Sequence, residues 1–189
     1  MTTFPDSSLW EFSISVYVRS GVADACLEMQ DRHGLDVNVL LFCVWDGLRR
    51  AAPLTVAQIA EVEATVADWQ GNIVTPLREV RRRLKSALGP GRGPTQALRE
   101  QVKAVELDAE RLEQLMLAAL DLGPADSGPA QPDAIVGSAV ANIHTYLQHL
   151  GVACDAQDRD CLFTILANGL PVASATSILK ALDDTTDEA

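Results

Sequence analysis

Arg78, Arg81, Arg82 and Lys85 fall at i, i+3, i+4 and i+7, the spacing that puts four cations on one face of a helix. Glu106 and Glu110 repeat the i, i+4 step further along. If the two segments are antiparallel helices, Arg78 lies roughly opposite Glu106. Two chemistries fit. Guanidinium groups can hold a phosphate or a partner's carboxylates. Equally, charges beside an apolar seam form interhelical ion pairs that set register. A second polar group is Gln30, Asp31 and Asn38, with His33 and Asp36 between them. These could line a small pocket, or serve as helix caps and loop hydrogen bonds. Asn38 sits in an apolar run and would need partners, since an unsatisfied buried amide is costly.

Other groupings are less productive. Glu106, Glu110 and Glu113 share a helical face, as carboxylates do in di-iron bundles, but the Glu-x-x-His element such sites need is missing. A solvated face is expected instead. His144, His149, Cys154 and Cys161 have spacings unlike those of zinc ligands. No catalytic residue, metal or cofactor is therefore expected.

The elements that must position these side chains follow from periodicity. Ile59, Val62, Val66, Trp69, Ile73, Leu77, Val80, Leu84 and Ala87 run in steps of three and four. After Gly89-Pro90-Gly91-Arg92-Gly93-Pro94 the steps resume at Leu98, Val102, Val105, Ala109, Leu112, Met116 and Ala119. The pattern predicts a long antiparallel helical hairpin, Thr55–Leu88 against Thr95–Asp121. Pro76 either kinks the first arm or splits it, because an interior proline costs about 3 kcal/mol. Val37 to Arg50 is apolar on nearly every side, which predicts a buried central helix capped by Asp36. Upstream, Val22 to about Arg32 predicts a short helix. Ser8-Leu9-Trp10-Glu11 resembles a capping box opening a helix to about Arg19, although Phe12, Ile14, Val16 and Val18 also alternate at strand period. The fold class expected is all-α: a helical bundle, residues 1–121, built on the hairpin 55–121 around the central helix. A Gly/Pro-rich linker at 122–132 precedes a three-helix module at 133–183. The tail, 184–189, is expected to be disordered.

Composition narrows the function. The chain has 189 residues, 48 % of them hydrophobic and 5 % aromatic, which favours helix packing over sheet. Net charge is −11. Residues 1–103 balance, 12 basic against 12 acidic, whereas 104–189 hold 3 against 14. The acidic C-terminal part argues against nucleic acid and anionic lipid as partners. The longest apolar run, Val37 to Trp45, is far short of a membrane span. No signal peptide is expected, and four cysteines without a C-x-x-C pair suit a reducing cytoplasm.

Five segments in order carry a family resemblance: Trp10-x-Phe12 with Tyr17; Ala25-Cys26-Leu27-x-x-Gln30; Asp36-Val37-Asn38-x-Leu40-Leu41 to Trp45; Pro76-Leu77-Arg78-x-x-Arg81-Arg82-x-Leu84-Lys85; and Glu106-Leu107-x-Ala109-Glu110-Arg111. Over the first 120 residues or so the chain resembles an uncharacterised proteobacterial family of small cytoplasmic helical proteins without assigned activity. The resemblance implies a fold and no mechanism. It also implies that the polar members of these segments act together.

The expected function is a non-enzymatic interaction or adaptor protein that recognises a protein partner through helix surfaces, with a homodimer one arrangement open to it. The alternative is a small-ligand or anion-binding protein, enzymatic or not. Its site would lie between helix 37–50 and the hairpin, near Arg78, Arg81 and Glu106.

Overall fold

The computed structural model describes residues 4–86, 92–123 and 131–186. Among them are nine α-helices and no strand. The helices are α1 (Ser8–Tyr17), α2 (Val22–His33), α3 (Val37–Arg50), α4 (Val56–Trp69), α5 (Thr75–Ser86), α6 (Arg92–Ala118), α7 (Pro132–His149), α8 (Ala156–Gly169) and α9 (Ala175–Thr186). A π turn, Gln70–Val74, joins α4 to α5.

Helix α1 resolves the rival strand pattern. Its cap is Ser7, one residue before the expected box, and its side chain accepts the Trp10 N–H at 3.4 Å. Leu9, Ser13 and Val16 face the core, while Ile14 and Val18 face outward. Apolar residues on two helical faces mimic alternation, which is why the period misleads.

Helix α3 is the hub. Asp36 caps it by accepting the Asn38 N–H at 2.8 Å, and every residue from Asn38 to Gly47 is buried. It is covered by α1, α6, α7 and α8. Thr55 and Gln58 form the expected capping box of α4. Pro76 neither splits the arm nor ends it. Its ring would strike the carbonyl of Asn72 in a regular helix. The π turn widens the backbone there, and the Thr75 N–H reaches back five residues to the Gln70 carbonyl.

The segment from α4 to α5 packs along α6 as the hairpin. The Trp69 Nε1–H donates to the Ala109 carbonyl at 3.0 Å. Helix α6 begins at Arg92, inside the expected tip, and Pro94 fits its first turn. Residues 87–91 of that tip lie outside the described residues. The apolar stripe is not uniformly covered. Ile59, Val62 and Val66 are buried at the base, yet among the described residues α5 buries none fully.

Helices α7 to α9, expected behind a linker, dock in the same chain. Helix α7 lies along α3 and α4, α8 on α2, and α9 on α7 and α8. Their apolar side chains continue the α3 core. Most of the expected linker, residues 124–130, lies outside the described residues. Leu122 before it is buried, and its carbonyl accepts from Arg50 Nη1 and Gln58 Nε2, both at 2.8 Å. Helix α9 runs to Thr186, so the expected disordered tail from 184 begins within a helix. The last three residues lie outside the described residues. The α3–α7 seam is closed by Gly47. A Cβ there would stand 2.6 Å from the backbone of Ala139. Beside it, Asn142 Oδ1 accepts the Leu54 N–H at 2.6 Å and Nδ2 donates to the Cys43 carbonyl at 3.2 Å. Because backbone rather than a flexible side chain blocks the space, Gly47→Ala should destabilise the fold by about 1–3 kcal/mol. Urea unfolding checks this; unchanged stability would mean that the seam can open freely.

Candidate functional site

The cations of α5 and the carboxylates of α6 converge on a cleft of about 540 Å³ between the hairpin and α1–α3. Helix α3 supplies the floor with Val37, Asn38 and Leu41. Helix α1 supplies an apolar wall of Trp10, Ile14, Tyr17 and Val18, continued by Leu27 of α2. The opposite wall is Arg78, Arg81, Arg82 and Lys85 on α5, facing Arg99, Lys103, Glu106 and Glu110 on α6. Both polar groups expected from sequence border this one space, since Gln30 and Asp31 line it too.

The members differ in what they are free to do. Arg78 is saturated. Its Nε donates to Glu106 Oε1 at 3.2 Å, Nη1 to Gln30 Oε1 at 2.7 Å and Nη2 to Glu110 Oε1 at 2.8 Å. Arg81 holds both oxygens of Glu106, one of them at 3.0 Å from Nη2. These two arginines are wall, not receptor. Arg82 pairs with Asp31 at 3.2 Å, where both side chains are exposed and the pair is weak. Arg99 bonds Glu100 at 3.0 Å, but its Nε–H has no acceptor. Lys85 and Lys103 make no ion pair among the described residues. Six basic residues thus border the cleft against three acidic ones, in a chain of net charge −11.

The expectation that Glu106, Glu110 and Glu113 form a solvated face is corrected. Glu106 and Glu113 are buried and Glu110 is half-buried. Burial is tolerated because Arg78 and Arg81 neutralise the first two. Glu113 has no such partner, and its solution is different. Asn38 Nδ2 donates to Glu113 Oε2, and Gln114 Nε2 donates to Asn38 Oδ1, both at 2.7 Å. Gln114 Oε1 and a facing pair of carboxylate oxygens, Glu113 Oε1 and Asp36 Oδ2, then remain buried without a donor. A proton on Glu113, directed at Asp36, satisfies that pair. Burial first, then the hydrogen bond to Asp36 and its charge, push the Glu113 carboxyl up to about 10. Burial also raises Glu110, against the pull of Arg78. His33, considered beside Asn38 from sequence, turns away to Asp158 at 2.7 Å.

Several members were not visible in sequence. Lys103 and Arg99 continue the Glu106 face toward the tip at i−3 and i−7, a spacing that could have revealed them. Trp10 and Leu27 join only through folding. Arg111 fastens that wall to α6, its guanidinium 5.4 Å from the Trp10 ring and 4.9 Å from that of Phe4. The histidines and cysteines considered for zinc do not gather. His149 faces Glu63 at 3.6 Å, the four cysteines are free thiols, and no group of three metal-binding side chains forms among the described residues. No helix among them is long and apolar enough to cross a membrane.

Residues 8–117 match the family described as "Protein of unknown function (DUF2390)". The match spans more than half of the chain, which therefore belongs to that family. It holds both walls of the cleft and stops short of α7–α9. No curated protein and no solved structure matches the chain.

Two outcomes follow from this geometry. A glutamate with its pKa raised on folding stabilises most below its unfolded value, near 4.5, and loses that contribution as pH rises toward about 10. Glu113→Gln keeps the shape and donates to Asp36 without a titrating proton. It should be more stable than wild type at neutral pH, by a margin that widens from pH 5 to pH 9 in urea unfolding. A constant margin would mean that Glu113 does not carry the proton. Arg78→Ala should cost about 3 kcal/mol by stranding Glu110 and leaving Glu106 with Arg81 alone. A double-mutant cycle with Glu106→Ala should give a coupling of about 0.5 kcal/mol or more.

Proposed function

We propose that the protein binds a small anion with an apolar body, such as an acyl carboxylate or alkyl phosphate, in the cleft between α1 and the hairpin. The observation that carries this reading is the pairing of an apolar wall with cations that the protein does not use. Arg78 and Arg81 are spent on Glu106, Glu110 and Gln30. Lys85 and Lys103 remain for a ligand. A cleft of about 540 Å³ lies within the usual range for small-molecule sites. Low-dielectric walls strengthen the pull of those cations on an entering anion. The site's groups bind and orient; no histidine or cysteine lines it. A cytoplasmic setting suits four free thiols.

The adaptor reading retains one support. Ile14, Val18, Leu27 and Leu107 at the cleft mouth are 42–76 % exposed, enough apolar surface for an acidic helix of a partner.

Calorimetric titration with octanoate, octyl phosphate and neutral octanol tests the proposal. The two anions should bind and octanol should bind at least tenfold more weakly, a difference of about 1.4 kcal/mol. Lys85→Ala with Lys103→Ala should abolish the preference while leaving the melting temperature unchanged. Equal affinity for octanol, or no binding of either anion, would sink the small-anion reading and leave the partner-helix one.

A further inference from the structure

The cleft runs lengthwise along α6. Lys103, Glu106, Leu107, Glu110 and Gln114 all border it, at i, i+3, i+4, i+7 and i+11. Eleven residues on, Gln114 has turned only about 20° from Lys103 and stands about 16 Å further along the axis. One end of the cleft therefore holds Lys85 and Lys103, and the other holds an amide. Between them Ile14 and Leu27 form one side, with Val37 and Leu41 below. The carboxylates along that stretch are already held by Arg78 and Arg81.

The amide is incompletely used. Glu113 Oε2 accepts from Asn38 Nδ2, and Asn38 Oδ1 accepts from Gln114 Nε2, both at 2.7 Å. This relay fixes which way the Gln114 amide faces and leaves Oε1 as its spare end. Gln114 is 2 % exposed, and its Oε1 has no donor among the described residues. A second side chain at the same end shares the defect. Ser13 also borders the cleft and is 4 % exposed, and its Oγ has no partner among the described residues. Ser13 lies one turn along α1 from Trp10, and Trp10 is fastened by Arg111, one turn before Gln114 on α6. Both orphaned groups thus stand at the base end, far from the lysines.

Buried polar groups are normally paired, and the open space that both of these border is the cleft. The chemistry that would satisfy them is narrow. Gln114 Oε1 needs a donor, whereas Ser13 Oγ can donate or accept. A methyl group offers neither. A carboxylate cannot donate, and it would face Glu110 and the buried Glu113. A hydroxyl does both. We propose, on the small-anion reading of the cleft, that its ligand is a two-ended chain, with an anionic head at Lys85 and Lys103 and a neutral hydroxyl at the far end, held by Gln114 Oε1 and Ser13 Oγ. With C–C bonds of about 1.5 Å, an octyl chain spans roughly 9 Å and a dodecyl chain roughly 14 Å. Only the longer one reaches from the lysines to the amide. A site built around a hydroxyl discriminates against the analogue that lacks it, because the protein's own groups are then left unpaired.

Calorimetric titration of the full chain with dodecanoate and ω-hydroxydodecanoate, both kept below micelle-forming concentration, tests this. The hydroxy acid should bind at least tenfold more tightly. Octanoate and ω-hydroxyoctanoate, too short to reach, should bind alike. Ser13→Ala should cut the hydroxyl preference about fivefold without lowering the melting temperature, since Oγ bonds nothing in the free protein. Lys85→Ala with Lys103→Ala should weaken both long acids alike and keep the hydroxyl preference. Equal affinity for the two long acids would mean that water serves Ser13 and Gln114, and would overturn the hydroxyl end while leaving the anion site standing. Tighter binding of ω-aminododecanoate than of the hydroxy acid would overturn it in favour of an ammonium group. Binding of none of these acids would remove the anion site as well.

Discussion

Helix α3 buries ten of its fourteen residues, so it offers water almost no surface and every neighbour must cover some of it. That demand arranges the molecule. Helix α7 takes one side, held close by Gly47, while α1, α6 and α8 take the others. The only amide in the buried run is Asn38, and it can be buried only where its donors and acceptors are met. Glu113 and Gln114 of α6 meet them, which fixes where α6 lies along α3. Once α6 is placed, Glu110 and Glu106 stand one and two turns further out, and the α5 arginines have their partners. The cleft is the space left between that arm and α1.

The electrostatics run from the same junction outward. At the floor, burial and the neighbouring Asp36 push the Glu113 carboxyl toward its neutral form. One turn out, Arg78 serves Glu106, Glu110 and Gln30 together. Only beyond Glu106 do cations outnumber carboxylates. The acids deep in the site consume the deep arginines, and the basic surplus is carried to the rim at Lys85, Arg99 and Lys103. A strongly acidic chain thus keeps a local positive cleft because its surplus acid sits elsewhere, mainly at the hairpin base and after residue 120.

Much of this architecture was legible. The caps at Asp36 and Thr55, the span of α3, the hairpin and the Arg78–Glu106 apposition follow from caps and periods, which are local. Three residues of the glycine-rich tip, Arg92, Gly93 and Pro94, belong to α6 instead, since Pro94 tolerates a first helical turn. Ser8 was mistaken for Ser7 because either serine suits a cap. The Pro76 question could not be settled from residue types, because a π turn depends on what the widened backbone packs against.

A seven-residue apolar repeat determined by itself that two helices pair, and about where. It could not say which half of the repeat would be covered, because Leu77 and Val80 are the same kind of residue to any periodicity argument. The sequence likewise placed Arg78, Arg81, Arg82 and Lys85 on one face, since helical geometry is local. Only tertiary structure divided them into arginines consumed by buried carboxylates and a lysine left at the rim. The same is true of Glu113. Its identity promises a charge, and whether that charge survives depends on solvent access and on the carboxylate brought beside it. Those neighbours, Asp36 and Asn38, stand more than seventy residues away along the chain, where no local pattern reaches.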